Sequence, residues 1–350
     1  MKSNFLRPLS RLFVIWLLIA AQACDNDPAP QVLPGSAGYF VVNEGGFGNS
    51  NTSISFYDRE KKTMTNDVFA AKNARPLGDQ AQGLTVFEGK AYIAVQNSGK
   101  VEVINADDYS SITTITEDIV SPRYFLGITS TKGYLSDWGE EGVHGTVKVI
   151  DLDQMKVTKT ITTGQGANRM ILKDGKVYVT NNGGYGYDNK ISIIDTSTDA
   201  VSSTIQVGDN PASMAFDKDG NLWVSGIGDY ITTTPWIAKI GPDNQVAFKL
   251  DLPVITYVGP TLAMNNAGDK FYYNYNGAVY AMATSETALP TTAFIEKDFY
   301  GLAVDPFNDD LLGCEAPDFS STGKVYVYRD GAVVFTTFDV GIAPNGVGFK

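Results

Sequence analysis

One phrase recurs along this chain seven times: a strand built round an aromatic, a loop, a second strand closing near Asp, a third strand, and a turn. The clearest copy runs Lys176-Val-Tyr-Val-Thr-Asn181, Lys190-Ile-Ser-Ile-Ile-Asp195 and Ala200 to Val207, closing on Gly208-Asp-Asn-Pro211. Equivalent anchors stand at Tyr39, Tyr92, Tyr134, Tyr178, Trp223, Tyr272 and Leu312, separated by 53, 42, 44, 45, 49 and 40 residues. A period of about 40 to 45 residues with several short strands per unit is the pattern of β-propeller blades, each of which needs its neighbours to cover its apolar faces. The expected fold is all-β: a seven-bladed β-propeller of four-stranded blades over residues 38–350.

The innermost strand of each blade is short and rich in small residues, from Gly83-Leu-Thr-Val-Phe87 to Gly301-Leu-Ala-Val304 and Gly346-Val-Gly-Phe349. Small side chains suit the crowding where blades converge. The first repeat begins on its second strand, Tyr39-Phe-Val-Val42, and so lacks an inner strand, while the last residues read as an inner strand without a blade. The C-terminal strand is therefore expected to complete the first blade, closing the ring and removing an edge open to aggregation.

Residues 1–23 read as a lipoprotein signal peptide. Lys2, Arg7 and Arg11 form a basic start, and Leu12 to Ala21 is an apolar run shorter than the about 20 residues that span a bilayer. Ala21-Gln22-Ala23-Cys24 resembles a bacterial lipobox, which makes Cys24 the lipidation site; an ordinary signal peptide beside a chance cysteine is the alternative. Several acyl chains on Cys24 anchor stably where one does not. Residues 24–37 are then a lipidated cysteine and a flexible Pro-rich tether, with Asp25 and Asp27 like the acidic stretch of surface-exported lipoproteins in Bacteroidota. An Asp in that place retains lipoproteins at the inner membrane in other Gram-negative bacteria. Loss of residues 1–23 moves the net charge from −12 to −15, which argues against a nucleic-acid partner. Cys314 then has no partner and reads as a small buried hydrophobe.

Loops leading into the innermost strands and loops joining strands two and three share one face of a propeller. On that face the chain gathers aromatics, amides and arginines. Candidate ligand-binding residues there are Arg75, Arg123, Tyr124, Trp138, Arg169, Tyr185, Tyr187, Tyr230, Trp236, Tyr257 and Tyr300. Rings supply contact area at low entropy cost, and Asn and Arg supply orientation, so such a face suits a large, flat, partly polar ligand. Packing beneath long loops is the other reading of any single Tyr. The opposite turns are mostly Lys, Asp, Gly, Ser and Thr.

The catalytic inventory is thin, and no catalytic residue, metal ligand or cofactor is assigned. His144 is the single histidine, so neither a Ser-His-Asp relay nor a multi-His metal site can be argued. Glu140 and Glu141 beside it leave a metal or acid–base site open. No Gly-rich loop passes into a helix to cradle phosphate. The repeats also lack the regular Trp docking motifs of quinone-dependent oxidoreductases.

Val177-Tyr-Val-Thr-Asn181, Ile193-Ile-Asp195 and Val207-Gly-Asp-Asn-Pro211 resemble the YVTN or YncE-like propellers. Asn43-Glu-Gly-Gly-Phe-Gly48, Ser53-Ile-Ser-Phe-Tyr57, Arg75-Pro-Leu-Gly78, Asn97-Ser98 and Ser121-Pro-Arg-Tyr124 resemble the BtuG-type surface lipoproteins of Bacteroidota, most strongly from Tyr39 to about Gly226. That resemblance implies an outer-membrane, lipid-anchored protein facing the cell exterior, which captures cobalamin or another corrinoid without turnover. It would pass the ligand to a TonB-dependent transporter. Siderophores and haem are other large nutrients that the scaffold could serve, since fold alone does not fix the ligand. Two readings from other classes stand beside it: a propeller mediating protein or glycan interaction, and a metal-dependent, lactonase-type hydrolase.

Overall fold

The repeat builds a sheet because its two middle strands are apolar on both faces and its outermost strand is not. In the fourth blade Val177–Asn181 and Ile191–Ile194 are buried throughout, whereas the outer strand Ala200–Gln206 is exposed along most of its length. Its Ser and Thr side chains keep that edge solvated. The four strands Ala167–Lys173, Lys176–Asn181, Lys190–Asp195 and Ala200–Gln206 lie in chain order, each antiparallel to the next.

The computed structural model describes Met1 and residues 35–256, 259–329, 331, 332 and 334–350. The rest of the leader, Cys24 and Tyr257 lie outside them, so the expectations placed there do too. Leu33–Lys350 forms one compact unit. It is a seven-bladed β-propeller: seven sheets whose inner strands touch in cyclic order, ending with Pro344–Phe349 against Ala81–Phe87. Six sheets have four strands. The sixth in chain order has three, Leu262–Met264, Lys270–Tyr275 and Ala278–Ala283, with a single bridge from Val279 to Ile295 where an outer strand would stand.

Closure follows the expected route. Pro344–Phe349 pairs antiparallel with Gly38–Asn43, matching Tyr39 to Phe349, Val41 to Val347 and Val42 to Gly346. The backbone N–H of Lys350 adds a bond to Gly38 O at 3.0 Å.

The recurrent aromatic is a wedge between blades. Tyr134 is buried and donates its hydroxyl to Asp199 in the next blade, and the Tyr178 hydroxyl reaches Asn244 Oδ1 of the blade after at 3.4 Å. Trp223 is buried too, and its Nε1–H donates to Asp217 at 3.1 Å. The uneven spacing has local causes. A six-residue helix, Val68–Asn73, lengthens the first interval, and the Ile227–Pro235 loop lengthens the fifth.

Candidate functional site at the axial mouth

The second to fifth blades disturb their ladders where the inner strand begins. Between the first and second strands the register shifts at Ala81/Gly83, Pro122/Phe125, Ala167/Met170 and Pro211/Ser213. A bulge leaves residues outside the ladder and re-aims their side chains. The residues so released include Gln82, Arg123, Tyr124, Asn168, Arg169 and Ala212, all of which line the end of the central channel. Their freed backbone N–H groups must bond elsewhere, and buried polar side chains of the second strands accept them. Ser136 Oγ takes Tyr124 N–H at 3.1 Å and Thr180 Oγ1 takes Arg169 N–H at 3.0 Å; in the sixth blade, whose ladder is unshifted, Asn274 Oδ1 takes the N–H of Thr261, just before the inner strand, at 2.6 Å.

The result is an axial cavity of about 170 Å³ to which every blade contributes, through Asn345, Gln82, Arg123, Asn168, Ser213, Thr261 and Tyr300. A second space of about 220 Å³ continues along the axis and shares Gln82, Tyr124, Arg169 and Asn345 with it. Arg123 holds its guanidinium 4.0 Å from the Trp138 ring centroid, and Arg169 holds its own 3.9 Å from that of Tyr124. Tyr300 donates its hydroxyl to Glu44 Oε2 at 2.7 Å, and Gln82 Nε2 donates to Glu44 Oε1 at 2.5 Å. Burial and the neighbouring Glu44 carboxylate hold the Tyr300 hydroxyl well above the ordinary phenol range.

Around the mouth stand exposed aromatics on the loops between strands two and three. Tyr185 is 71 % and Phe47 69 % exposed, and Tyr187, Tyr230 and Phe319 are also open to solvent. Asx-type turns hold these loops in shape. Asp229 accepts from the backbone N–H of Ile231, Thr232 and Thr233 at 2.9, 2.6 and 2.7 Å, and Asp318 from those of Ser320 and Ser321 at 2.9 and 2.6 Å. The Thr232 hydroxyl, which also donates to Asp229 and weighs most there, and these backbone bonds keep both carboxyls well below the usual range. Tyr230 and Phe319 are held at φ of 65° and 57°. A left-handed backbone is costly for an aromatic residue, and such conformations collect where loops serve a site.

The structure brings Arg123, Tyr124, Arg169 and Tyr300 to the mouth, and leaves Tyr185, Tyr187 and Tyr230 exposed on loops between second and third strands. Trp138 lies just below: it is 8 % exposed, roofed by Arg123, and met edge-on by Tyr185 at 5.5 Å. Two expectations are corrected. Trp236 is only 1 % exposed and donates Nε1–H to Asp209 O at 2.9 Å, so it supports the loops and offers no platform. Gly226 and Gly208 leave the room its indole fills, for a Cβ at either would come within 2.5 Å of it. Arg75 is turned to the outer part of the second blade, 2.7 Å from the buried Glu102 carboxylate and over Phe69, away from the axis.

Sequence reasoning passed over Gln82, Asn168 and Asn345 as site residues, and only their position at the start of an inner strand could have singled them out. His144 is exposed, with Nδ1 2.9 Å from Glu140 O. Cys314 is buried in the core of the last blade, which pushes its thiol up to about 12.

No functionally curated protein matches the sequence. Among solved structures, a quinoprotein alcohol dehydrogenase-like protein from Bacteroides thetaiotaomicron superposes with a TM-score of 0.64 at 18% identity, over 90% of this chain and 79% of that one. The hydrazine synthase of Kuenenia stuttgartiensis gives 0.64 at 15% identity, over 88% and 99%. The computationally designed Ika8 protein gives 0.58 at 12% identity, over 91% and 93%. At such identities these likenesses speak for the propeller fold alone. Residues 37–329 match one family, described as a domain of unknown function, DUF5074, and the chain belongs to it.

Proposed function

We propose that this chain is a cell-surface lipoprotein that captures a large, flat, partly polar nutrient, a corrinoid before others, on its aromatic loop face. The ligand then passes to a TonB-dependent outer-membrane transporter. The observation that carries the reading is the crown of Tyr185, Tyr187, Tyr230, Phe47 and Phe319, all exposed on loops between second and third strands, which open on the face of the axial mouth. Exposed rings on pre-ordered loops bind a flat ligand without the entropy cost of arranging them afterwards. The cavity at the mouth is about 170 Å³ and the space that continues along the axis about 220 Å³, each smaller than the roughly 300 Å³ at which drug-sized pockets begin. A macrocycle therefore lies across the crown and admits only one of its arms to the mouth. The likeness of Asn43–Gly48 and Ser121–Tyr124 to BtuG-type lipoproteins supports the corrinoid assignment.

The test is titration of residues 25–350 with cyanocobalamin and cobinamide, followed by tryptophan emission and calorimetry. Saturable quenching that weakens at least tenfold in Tyr185→Ala or Tyr187→Ala is the expected result. A flat titration with folded protein removes corrinoids as ligands.

A further inference from the structure

Five arginines lie among the described residues, and three of them pair with carboxylates: Arg59 with Asp305 at 2.5 Å, Arg75 with Glu102 at 2.7 Å and Arg329 with Asp310 at 2.6 Å. Arg123 and Arg169 have no carboxylate within 4.0 Å among the described residues, and both line the axial cavity. In a chain with 39 acidic and 27 basic residues, two neighbouring cations without an acid are an exception that needs a reason.

Their own surroundings do not supply it. Arg123 gives Nε–H to Asn168 Oδ1 at 3.3 Å and Nη1–H to Gln96 Oε1, both neutral acceptors. Burial pushes its guanidinium below the ordinary value. Arg169 stacks on Tyr124 and spends no side-chain N–H on a described acceptor. Glu44 is the nearby acid; Gln82 and Tyr300 each donate to one of its oxygens, and it lies beyond 4.0 Å of both guanidinium groups. It offsets the field without bonding either arginine.

Guanidinium forks match the oxygens of phosphate and carboxylate, and a charge in a recessed mouth acts more strongly than one at the surface. The remaining rim is neutral, with Asn182, Ser213 and Thr261 able to complete the coordination of oxygens. Asn345 bonds Ala81 O through Nδ2 at 3.0 Å, and its buried Oδ1 has no donor among the described residues. That oxygen suits an O–H or N–H carried by the same ligand.

We infer that the axial mouth is an oxyanion subsite, in which Arg123 and Arg169 hold one phosphate or carboxylate group of the molecule that the crown captures. Only the identity of that molecule rests on the capture reading, because the subsite answers to the anion alone. The intact chain is titrated at low ionic strength with phenyl phosphate and benzoate, and with orthophosphate and phenol as bare anion and bare ring. Tryptophan emission and heat are the readouts. Saturable binding of phenyl phosphate or benzoate is expected, weakened at least tenfold in Arg169→Gln and in Arg123→Gln and unchanged in Lys156→Gln, which removes a charge from an outer strand. Arg169 holds no described acceptor through its side chain, so Arg169→Gln gives up only its contact with the Tyr124 ring, and a melting temperature within a few degrees of the parent shows that its loss of binding is not a loss of fold. Failure of every anion to saturate, or equal affinity in Arg169→Gln, overturns the subsite. Orthophosphate bound as tightly as phenyl phosphate overturns its assignment to a captured ligand. A flat corrinoid titration beside Arg169-dependent anion binding discards the corrinoid and keeps the subsite. Corrinoid binding unchanged in Arg169→Gln does the reverse.

Discussion

Arg123 lies over Trp138, its guanidinium carbon 4.0 Å from the ring centroid, and so couples the axial mouth to the loop that carries Tyr185. Asp137 fixes this arrangement from below. Its two carboxylate oxygens accept the backbone N–H of Val120 at 2.8 Å, Ser121 at 2.9 Å and Gly139 at 2.7 Å. The Trp138 Nε1–H is buried and has no acceptor among the described residues. Trp138→Phe removes an unsatisfied donor while keeping a ring, so its stability in urea should stay within about 1 kcal/mol of the parent. Trp138→Ala empties the space under Arg123 and should cost about 3 kcal/mol.

Ring closure rests on one strand. Deleting residues 344–350 unpairs Tyr39–Asn43 along its inner edge and bares the first blade's apolar residues. The loss should reach about 5 kcal/mol, within the range of a whole domain's stability. Thermal denaturation followed by circular dichroism should show an early or absent cooperative transition. A truncated chain that melts like the parent would count against closure as the source of stability.

Glu102 is fully buried and receives Arg75 at 2.7 Å, Lys100 at 3.1 Å and the Ser111 hydroxyl at 2.6 Å. Burial pushes its carboxyl up, but these donors outweigh burial and leave it below its ordinary value of 4.5. A carboxyl depressed in the folded state stabilises the protein above its unfolded value, and that contribution is lost as pH falls through the folded value. Denaturation midpoints taken between pH 7 and pH 3 should therefore fall with acid, and fall less steeply in Glu102→Gln. Arg75→Ala should cost about 2 kcal/mol at pH 7, since Lys100 remains as a partner, and should leave ligand affinity unchanged.

A Cβ at Gly226 would stand 2.2 Å from Trp236 Cε2. Overpacking of this kind costs about 1–3 kcal/mol, so Gly226→Ala should lower the urea midpoint by that amount. Paired with Trp236→Phe, which makes room, the two substitutions should cost less together than their sum. Strict additivity in a double-mutant cycle would deny that the indole sets the need for glycine.

Tyr185→Ala takes away a largely exposed ring that touches Trp138 by its edge. Its effect on stability should stay below about 1 kcal/mol. Its effect on capture should be at least tenfold, read as a change in dissociation constant. A variant that loses stability and keeps affinity would place Tyr185 in the support of the loop instead.

The repeat makes most of the fold legible in the sequence. Strand two of each blade is buried on both faces, and a buried aromatic in a short apolar run announces itself by composition and period. The offset of the ends announced the pairing of Tyr39 with Phe349 for the same reason: a strand missing at one end was present at the other. The sixth blade's outer position was harder. There Val279 bridges to Ile295 across a polar, Pro-containing segment with no strand period to read.

Side-chain direction was legible only in part. Tyr185 and Tyr230 fall among Gly and Asp in loops, where exposure is the ordinary outcome, and both are exposed. Trp236 sits beside Pro235 in the same kind of loop sequence, yet two distant glycines make a slot that buries it. Arg75 stands in a loop that enters an inner strand and is expected at the mouth on that ground, yet its partner Glu102 lies 27 residues away on another strand. Taken alone, then, the sequence determined the number of blades, their anchors and the closing strand, because these depend on local apolar period. Only the tertiary structure decided which arginines meet carboxylates and which are left at the axis. That choice is made by register shifts at the inner strands and by contacts between blades, and a local period carries no information about either.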